Sequence, residues 1–91
     1  MKEYYLLTFE STHAAIATDK LLKPAECIVV PVPRFISSSC GISVRIRSDK
    51  KEEAEKLFKA GSKLTTDEYT YYHVQISANE DKDVVCNQIS I

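Results

Sequence analysis

The feature of this sequence that most limits its possible folds is the order in which strand and helix patterns follow one another. Residues Ile42–Arg47 alternate strictly between apolar and polar side chains, which is typical of a strand with one buried face. An alanine- and leucine-rich stretch has helical period, and Pro24, which follows it, cannot continue a helix. Read along the chain, the patterns predict strand, helix, strand, strand, helix and strand over residues 4–9, 13–23, 27–32, 42–47, 48–61 and 69–76.

This order is satisfied by an α+β, ferredoxin-like βαββαβ two-layer sandwich, in which two helices cover one face of a four-stranded antiparallel sheet. The predicted strand order is 4-1-3-2. Pro31 fits the edge position that this order gives to the second strand, because proline cannot donate a ladder hydrogen bond. We expect residues 1–76 to form this one domain and residues 77–91 to be a C-terminal extension, in which residues 84–91 are a candidate for an extra strand.

The predicted helices also carry end signals. Ser11 or Thr12 can cap the first helix by accepting a hydrogen bond from a backbone N–H of its first turn. Asp49 and Glu52 have the spacing of a capping box at the start of the second helix. Gly61 is placed to end that helix in a left-handed conformation.

Composition narrows the class of function. The chain has 91 residues, 44% hydrophobic and 27% charged, with a net charge of −1, as in an ordinary small globular domain. A near-neutral chain lacks the broad basic surface of a nucleic-acid-binding domain. No stretch has the length of a membrane span or the pattern of a signal peptide, so we expect a cytoplasmic protein that binds neither membranes nor nucleic acids.

The loop between the second and third predicted strands concentrates the chemistry of the chain. It contains Cys40 and Gly41, preceded by a run of three serines and an arginine. The predicted topology places this loop at the sheet end where the first helix begins, and a helix N-terminus lowers the pKa of a nearby thiol. We therefore predict that Cys40 is a reactive thiol whose surroundings bind an anionic or chalcogen-bearing group through Ser37, Ser38, Ser39, Gly41, Arg34, Thr12 and His13.

The other cysteines and histidines point to packing. Cys27 begins the second predicted strand and Cys40 follows its far end, so the two residues should be about 15 Å or more apart. This is too far for a disulfide, and we predict that Cys27 is not a disulfide partner of Cys40. Three scattered cysteines and two separated histidines have no metal-binding spacing, and two glycines are too few for a nucleotide loop, so we expect no metal and no cofactor. His73 is predicted to be a sheet-face residue. Two alternatives remain. Cys40 can be an inert loop cysteine, and Arg45 with Arg47 can form either a solvated face or a small anion-binding patch.

Several segments resemble one family of small bacterial proteins, the selenium/sulfur carrier-like proteins. The resemblance covers about residues 4–60. It rests on Tyr-Tyr-Leu-Leu-Thr-Phe at 4–9, Ser-Thr-His-Ala-Ala at 11–15, Lys-Leu-Leu-Lys at 20–23, Pro-Val-Pro-Arg at 31–34 and Ile-Ser-Ser-Ser-Cys-Gly at 36–41. The resemblance does not extend to residues 77–91 with Cys86, which look like an addition to the family pattern.

The resemblance implies that Cys40 carries sulfur or selenium as a persulfide or selenosulfide, taken from a donor protein and passed to an acceptor protein. The chain would then be a carrier and not an enzyme, and a homodimer is a further assembly that we consider. Two other functions remain open: a small-molecule-binding or regulatory ferredoxin-like module, and a structural protein-interaction domain, in both of which Cys40 has no chemical role.

Overall fold

A computed structural model describes residues 2–33, 36, 41–65, 67–76 and 84–90. These residues form five strands and two α-helices. In chain order the elements are β1 (Lys2–Phe9), α1 (Thr12–Leu21), β2 (Ile28–Pro31), β3 (Ile42–Arg47), α2 (Lys51–Gly61), β4 (Tyr69–Ile76) and β5 (Val84–Ile89), with short 3₁₀ turns at Lys23–Ala25 and Ser48–Lys50.

The strands form one antiparallel sheet in the order β2-β3-β1-β4-β5. The predicted α+β structure with two helices and an antiparallel sheet is therefore confirmed. The first four strands follow the predicted order, and β2 with Pro31 is at one edge. The sheet has five strands and not four, because β5 pairs with β4 from Tyr71 opposite Ile89 to Ile76 opposite Val84. Part of the segment predicted as an extension thus extends the sheet, while the domain boundary at residue 76 stays a prediction.

The main core lies between the helices and one face of the sheet. Every second residue of the central strands points into it, and the helices contribute small side chains, so that they approach the sheet closely. Leu7, Val44 and Ala54 are fully buried there. The other buried members of this core are Tyr5, Phe9, Ala14, Ala15, Leu22, Ala25, Cys27, Ile46, Phe58 and Tyr71.

A second apolar cluster lies on the sheet face opposite the helices. Leu6 and Val74 have no exposed surface, although neither helix covers them. Ile36 packs with them and is only 8% exposed. The loop between β2 and β3 therefore contributes at least this side chain to the cover of the second face.

The helix starts confirm the predicted cap of α1 and correct the prediction for α2. Ser11, not Thr12, caps α1, since its Oγ accepts a hydrogen bond from the Ala14 N–H at 3.2 Å. The predicted capping box is wrong: Asp49 lies in the 3₁₀ turn before α2, and its carboxylate accepts a hydrogen bond from Arg47 at 2.9 Å.

Gly61 serves close packing and not a left-handed turn. It is the last residue of α2, and Gly41 is the glycine with a positive φ. A Cβ atom on Gly61 would lie 2.5 Å from Cδ1 of Leu21 at the end of α1. The missing side chain thus lets the C-terminal ends of the two helices meet.

Candidate functional site

The structure describes the two ends of the predicted cysteine loop. Val32, just after β2, donates a backbone hydrogen bond to the Gly41 carbonyl at 3.1 Å, so the ladder of β2 and β3 continues by one step. Ile36 donates to the Pro33 carbonyl at 3.0 Å, which closes a turn at the start of the loop. The loop therefore leaves and rejoins the sheet at one place. Five predicted site residues, Arg34, Ser37, Ser38, Ser39 and Cys40, lie outside the described residues.

Gly41 adopts a conformation that favours glycine. Its φ is +76°, and an added Cβ would meet no atom of a described residue within 4 Å. An L-residue in left-handed backbone costs roughly 1–2 kcal/mol whatever the space around it. The glycine next to Cys40 in the sequence is therefore required by the backbone path into β3.

Thr12 and His13 occupy the predicted end of the sheet. Thr8 of β1 pairs with Ser43 of β3, so Gly41, two residues before Ser43, lies where β1 leads into α1. Thr12 and His13 form the first turn of that helix and are exposed. The structure thus brings Gly41, Thr12 and His13 to one end of the molecule, whereas contact between them and Ser37, Ser38, Ser39 or Cys40 stays a prediction.

Cys27 has the surroundings of a structural cysteine. It is 7% exposed in the main core, and its Sγ donates to the Ala25 carbonyl at 3.9 Å. Burial, with smaller effects of the Asp19 and Glu53 carboxylates, raises the pKa of its thiol from 9.0 to about 11. A thiol that stays protonated at neutral pH is a poor nucleophile.

Cys86 lies on the other sheet face and far from Gly41. Burial raises the pKa of its thiol, and it packs beside the second apolar cluster. Cys86 pairs with Val74, which in turn pairs with Tyr4, so it sits at the opposite end of the sheet from Ser43 and three strands away. Strand geometry puts the Cα atoms of Ser43 and Cys86 on the order of 20 Å apart.

The other residues weighed as ligands are engaged in structural contacts. His73 stacks on Tyr5 with ring centroids 4.6 Å apart, and its Nε2 lies 3.1 Å from a Glu3 carboxylate oxygen, which confirms it as a sheet-face residue. Arg47 pairs with Asp49 at 2.9 Å, and Arg45 lies over the ring of Tyr4. The carboxylate beside Arg47 and the packing of Arg45 favour the solvated-face interpretation over an anion-binding patch.

The sequence analysis missed the packing role of Ile36. Its burial in the second cluster makes it an anchor for the cysteine loop. The available signal was a branched apolar residue that directly follows a phenylalanine and precedes a run of serines. Such a residue in a polar loop predicts an anchor, but only the fold shows which face it contacts.

No helix in the described part of the chain is both long and apolar enough to cross a membrane. Among the residues that the structure describes, no group of three or more His, Cys, Asp or Glu side chains is arranged to hold a metal ion.

Comparison with known protein families identifies a match for most of the chain. The profile of the family described as "Putative Se/S carrier protein-like" matches residues 4–69. The matched range begins in β1 and ends at the first residue of β4, so it includes both helices and the whole cysteine loop. No significant match is found among curated proteins or among solved structures.

Proposed function

Since this chain belongs to the "Putative Se/S carrier protein-like" family, we propose that it is a sulfur or selenium carrier with Cys40 as the carrier thiol. Cys40 holds the atom as a persulfide or selenosulfide, and the protein transfers it without being an enzyme. The carrier works on a ferredoxin-like βαββαβ core, with Arg34, Ser37, Ser38, Ser39, Gly41, Thr12 and His13 around the loaded group.

The observation that carries this proposal is the burial of Cys27 and the packing of Cys86 beside the second apolar cluster, since neither environment activates a thiol. Burial raises the pKa of both Cys27 and Cys86, so each is mostly protonated at neutral pH. They also lie on opposite faces of the sheet. Of the three cysteines, Cys40 is the one left for nucleophilic chemistry, and it is in the range that the family profile matches.

Both described ends of the cysteine loop are fixed to the sheet, which suits a loop that presents a thiol to partner proteins. Ile36 is buried in the second cluster, and Gly41 is hydrogen-bonded to Val32 at the start of β3. A short loop fixed at both ends loses less conformational freedom when a partner protein binds it. This arrangement suits a thiol that must meet two different partners.

The transfer is a pair of thiol exchanges that need no oxidant. The Cys40 thiolate attacks the terminal sulfur of a donor persulfide; the donor S–S bond breaks, the donor thiolate leaves, and a Cys40 persulfide forms. An acceptor thiolate then attacks the outer sulfur of that persulfide, which regenerates the Cys40 thiolate. With selenium as the outer atom, an S–Se bond is formed and broken in the same way.

Mass spectrometry of the intact protein after incubation with cysteine persulfide tests the proposal. We expect a Cys27→Ala/Cys86→Ala variant to gain one sulfur atom, and a Cys40→Ser variant to gain none. Thermal unfolding of both variants controls for loss of structure. Equal loading of Cys40→Ser and of the wild-type chain would overturn the carrier proposal.

The partners of a carrier are a donor protein and an acceptor protein, and we place them with it in the cytoplasm. We also propose a homodimer formed through the outer edge of β5. This strand has no charged residue and no proline over Val84–Ile89, and Val85 is 51% exposed. Edge strands without such protection pair readily with a second strand.

A further inference from the structure

A groove lies on the helical side of the molecule, beside the first turn of α1. It has a volume of about 580 Å³ and is enclosed by α1, the end of α2 and the segment that follows α2. This volume is within the range of small-molecule sites, roughly 300–1,000 Å³. The apolar part of its lining consists of Ala14, Ala17, Leu21, Gly61 and Leu64.

The close approach of Gly61 to Leu21 shapes this groove. Because Gly61 has no side chain, the ends of α1 and α2 meet, and the small side chains of Ala14 and Ala17 leave the space beside them open. Ala17 is exposed although it lies on the side of α1 that lines the groove. The wall therefore offers apolar surface that no described residue covers.

The charges in the groove are mainly positive. Lys20 and Lys63 both line it, and neither forms an ion pair within the described part of the chain. His13 adds a ring nitrogen. The carboxylate that also lines the groove, that of Glu68, accepts hydrogen bonds from the backbone N–H and the hydroxyl of Thr65, at 3.4 and 3.2 Å.

We propose that this groove binds a small amphipathic anion, with an apolar body against the alanine and leucine side chains and a carboxylate head group held by Lys20 and Lys63. An apolar surface with two ammonium groups that pair with no described carboxylate favours such a ligand over a neutral or a cationic one of the same shape. None of the described lining residues belongs to the cysteine loop, and the proposed ligand is a different molecule from the sulfur or selenium cargo of the proposed carrier function.

Titration of the full-length chain with octanoate, followed through backbone amide NMR signals, tests the site. We expect saturable shifts at Ala17, Leu21 and Leu64, whereas octylammonium, with the same apolar body and the opposite charge, gives none. A Lys20→Gln/Lys63→Gln variant is expected to bind octanoate about fivefold more weakly, since each exposed ion contact contributes little.

A second pair of lysines provides the matched control. Lys56→Gln/Lys59→Gln removes the same charge from exposed positions of α2 that do not line the groove, and its affinity is expected to equal that of the wild type. Ala17→Phe, at an exposed helix position, is expected to block the groove. Equal affinities of the two double variants, equal binding of octylammonium, or no saturable octanoate shifts would each overturn the proposal. Cys40→Ser keeps every described lining residue of the groove, so octanoate binding that persists in this variant while sulfur loading is lost separates the two proposals.

Discussion

Burial raises the thiol pKa of both described cysteines, which lie on different faces of the sheet. Cys27 is enclosed by the main core at the start of β2, and Cys86 packs beside the second cluster on β5. Burial withholds water from the thiolate and so favours the protonated form. Neither the burial of a cysteine nor its effect on the thiol pKa can be read from the position of that cysteine in the sequence, because burial depends on residues that are distant along the chain.

Alkylation by iodoacetamide at pH 8 tests the inert character of Cys27 in a Cys40→Ser/Cys86→Ala variant. A shift of the thiol pKa from 9.0 to about 11 leaves about a hundredfold less thiolate in the folded state. We therefore expect the folded protein to react about a hundredfold more slowly than the same variant in urea, and slower still if the reagent cannot reach the core. Equal rates in both states would show that Cys27 is accessible and ionised.

A substitution at Gly41 tests the backbone requirement of the cysteine loop. We expect Gly41→Ala to lower the free energy of unfolding by about 1 kcal/mol, because alanine at a φ of +76° is strained. Urea denaturation measures this loss. Gly41→Asn is the control: asparagine tolerates the left-handed region better, so its loss should be smaller, and a greater loss with Asn than with Ala would contradict the strain argument.

At the scale of elements, α2 is attached to the sheet by a polar contact above the apolar core. The Tyr71 hydroxyl on β4 donates to the Glu55 carboxylate of α2 at 2.8 Å, and Lys51, one turn earlier, lies 2.8 Å from the same carboxylate. Tyr71 is 2% exposed, and burial followed by this hydrogen bond raises its pKa strongly. The contact fixes which face of α2 meets the sheet.

Removing the Tyr71 hydroxyl should weaken this attachment. We expect Tyr71→Phe to lower the free energy of unfolding by about 1–2 kcal/mol, since a hydrogen bond to a charged acceptor is lost. Urea denaturation at pH 7 measures it. Tyr72→Phe, on the opposite sheet face, removes a hydroxyl without a hydrogen bond to any described residue and should cost less; equal losses would contradict the role of Glu55.

The raised pKa of Tyr71 also predicts a pH dependence. The unfolded chain loses the phenol proton near pH 10.0, while the folded protein retains it to higher pH. The unfolded state then binds fewer protons, so the free energy of unfolding decreases as the pH rises above about 10. The free energy of unfolding of the Tyr71→Phe variant should decrease less steeply between pH 9 and 11 than that of the wild type. An equal slope in both proteins would count against the titration of Tyr71.

For the whole molecule, the two sheet edges differ in their protection. β2 is short and includes Pro31, which cannot donate to a neighbouring strand. β5 is longer and offers an uncharged edge, so association is expected there and not at β2. The proposed homodimer joins the two sheets through their β5 strands.

Sedimentation of edge variants tests this assembly. We expect the wild-type chain to form dimers and Val85→Lys to shift it to monomers, because a lysine on an edge strand opposes strand pairing. Val29→Lys, at a residue 43% exposed on the β2 edge, is the control and should remain dimeric. A wild-type chain that is monomeric at high concentration would overturn the homodimer.

The sequence predicted the central elements of the fold because their patterns are local. The alternation of Ile42–Arg47 and the proline in β2 are properties of neighbouring residues and identified the strands, and the βαββαβ order of the elements then predicted the order of the first four strands. The predicted helix boundaries were less accurate. Asp49, predicted to cap α2, lies in a 3₁₀ turn, and its carboxylate accepts a hydrogen bond from Arg47. Such choices depend on a few competing hydrogen bonds of similar strength.

The candidate site was predicted only in part. The sequence indicated the loop, the glycine within it and the helix end beside it, because turn residues between two strands are recognisable locally. It did not indicate that Ile36 contacts Leu6 and Val74, or that Gly61 meets Leu21. These contacts join residues that are many positions apart in the sequence. The local pattern of one segment does not show which other segment it will contact.

By itself, the sequence determined which segments are strands and helices, that one strand lies at an edge, and that the chemistry of the chain is concentrated before Gly41. Only the tertiary structure decided that Cys27 is buried in the main core, which sheet face Ile36 contacts, that β5 extends the sheet and that a groove opens beside α1. The physical reason is that periodicity and turn chemistry act between near neighbours, whereas burial, close packing and strand pairing depend on residues brought together from distant parts of the chain.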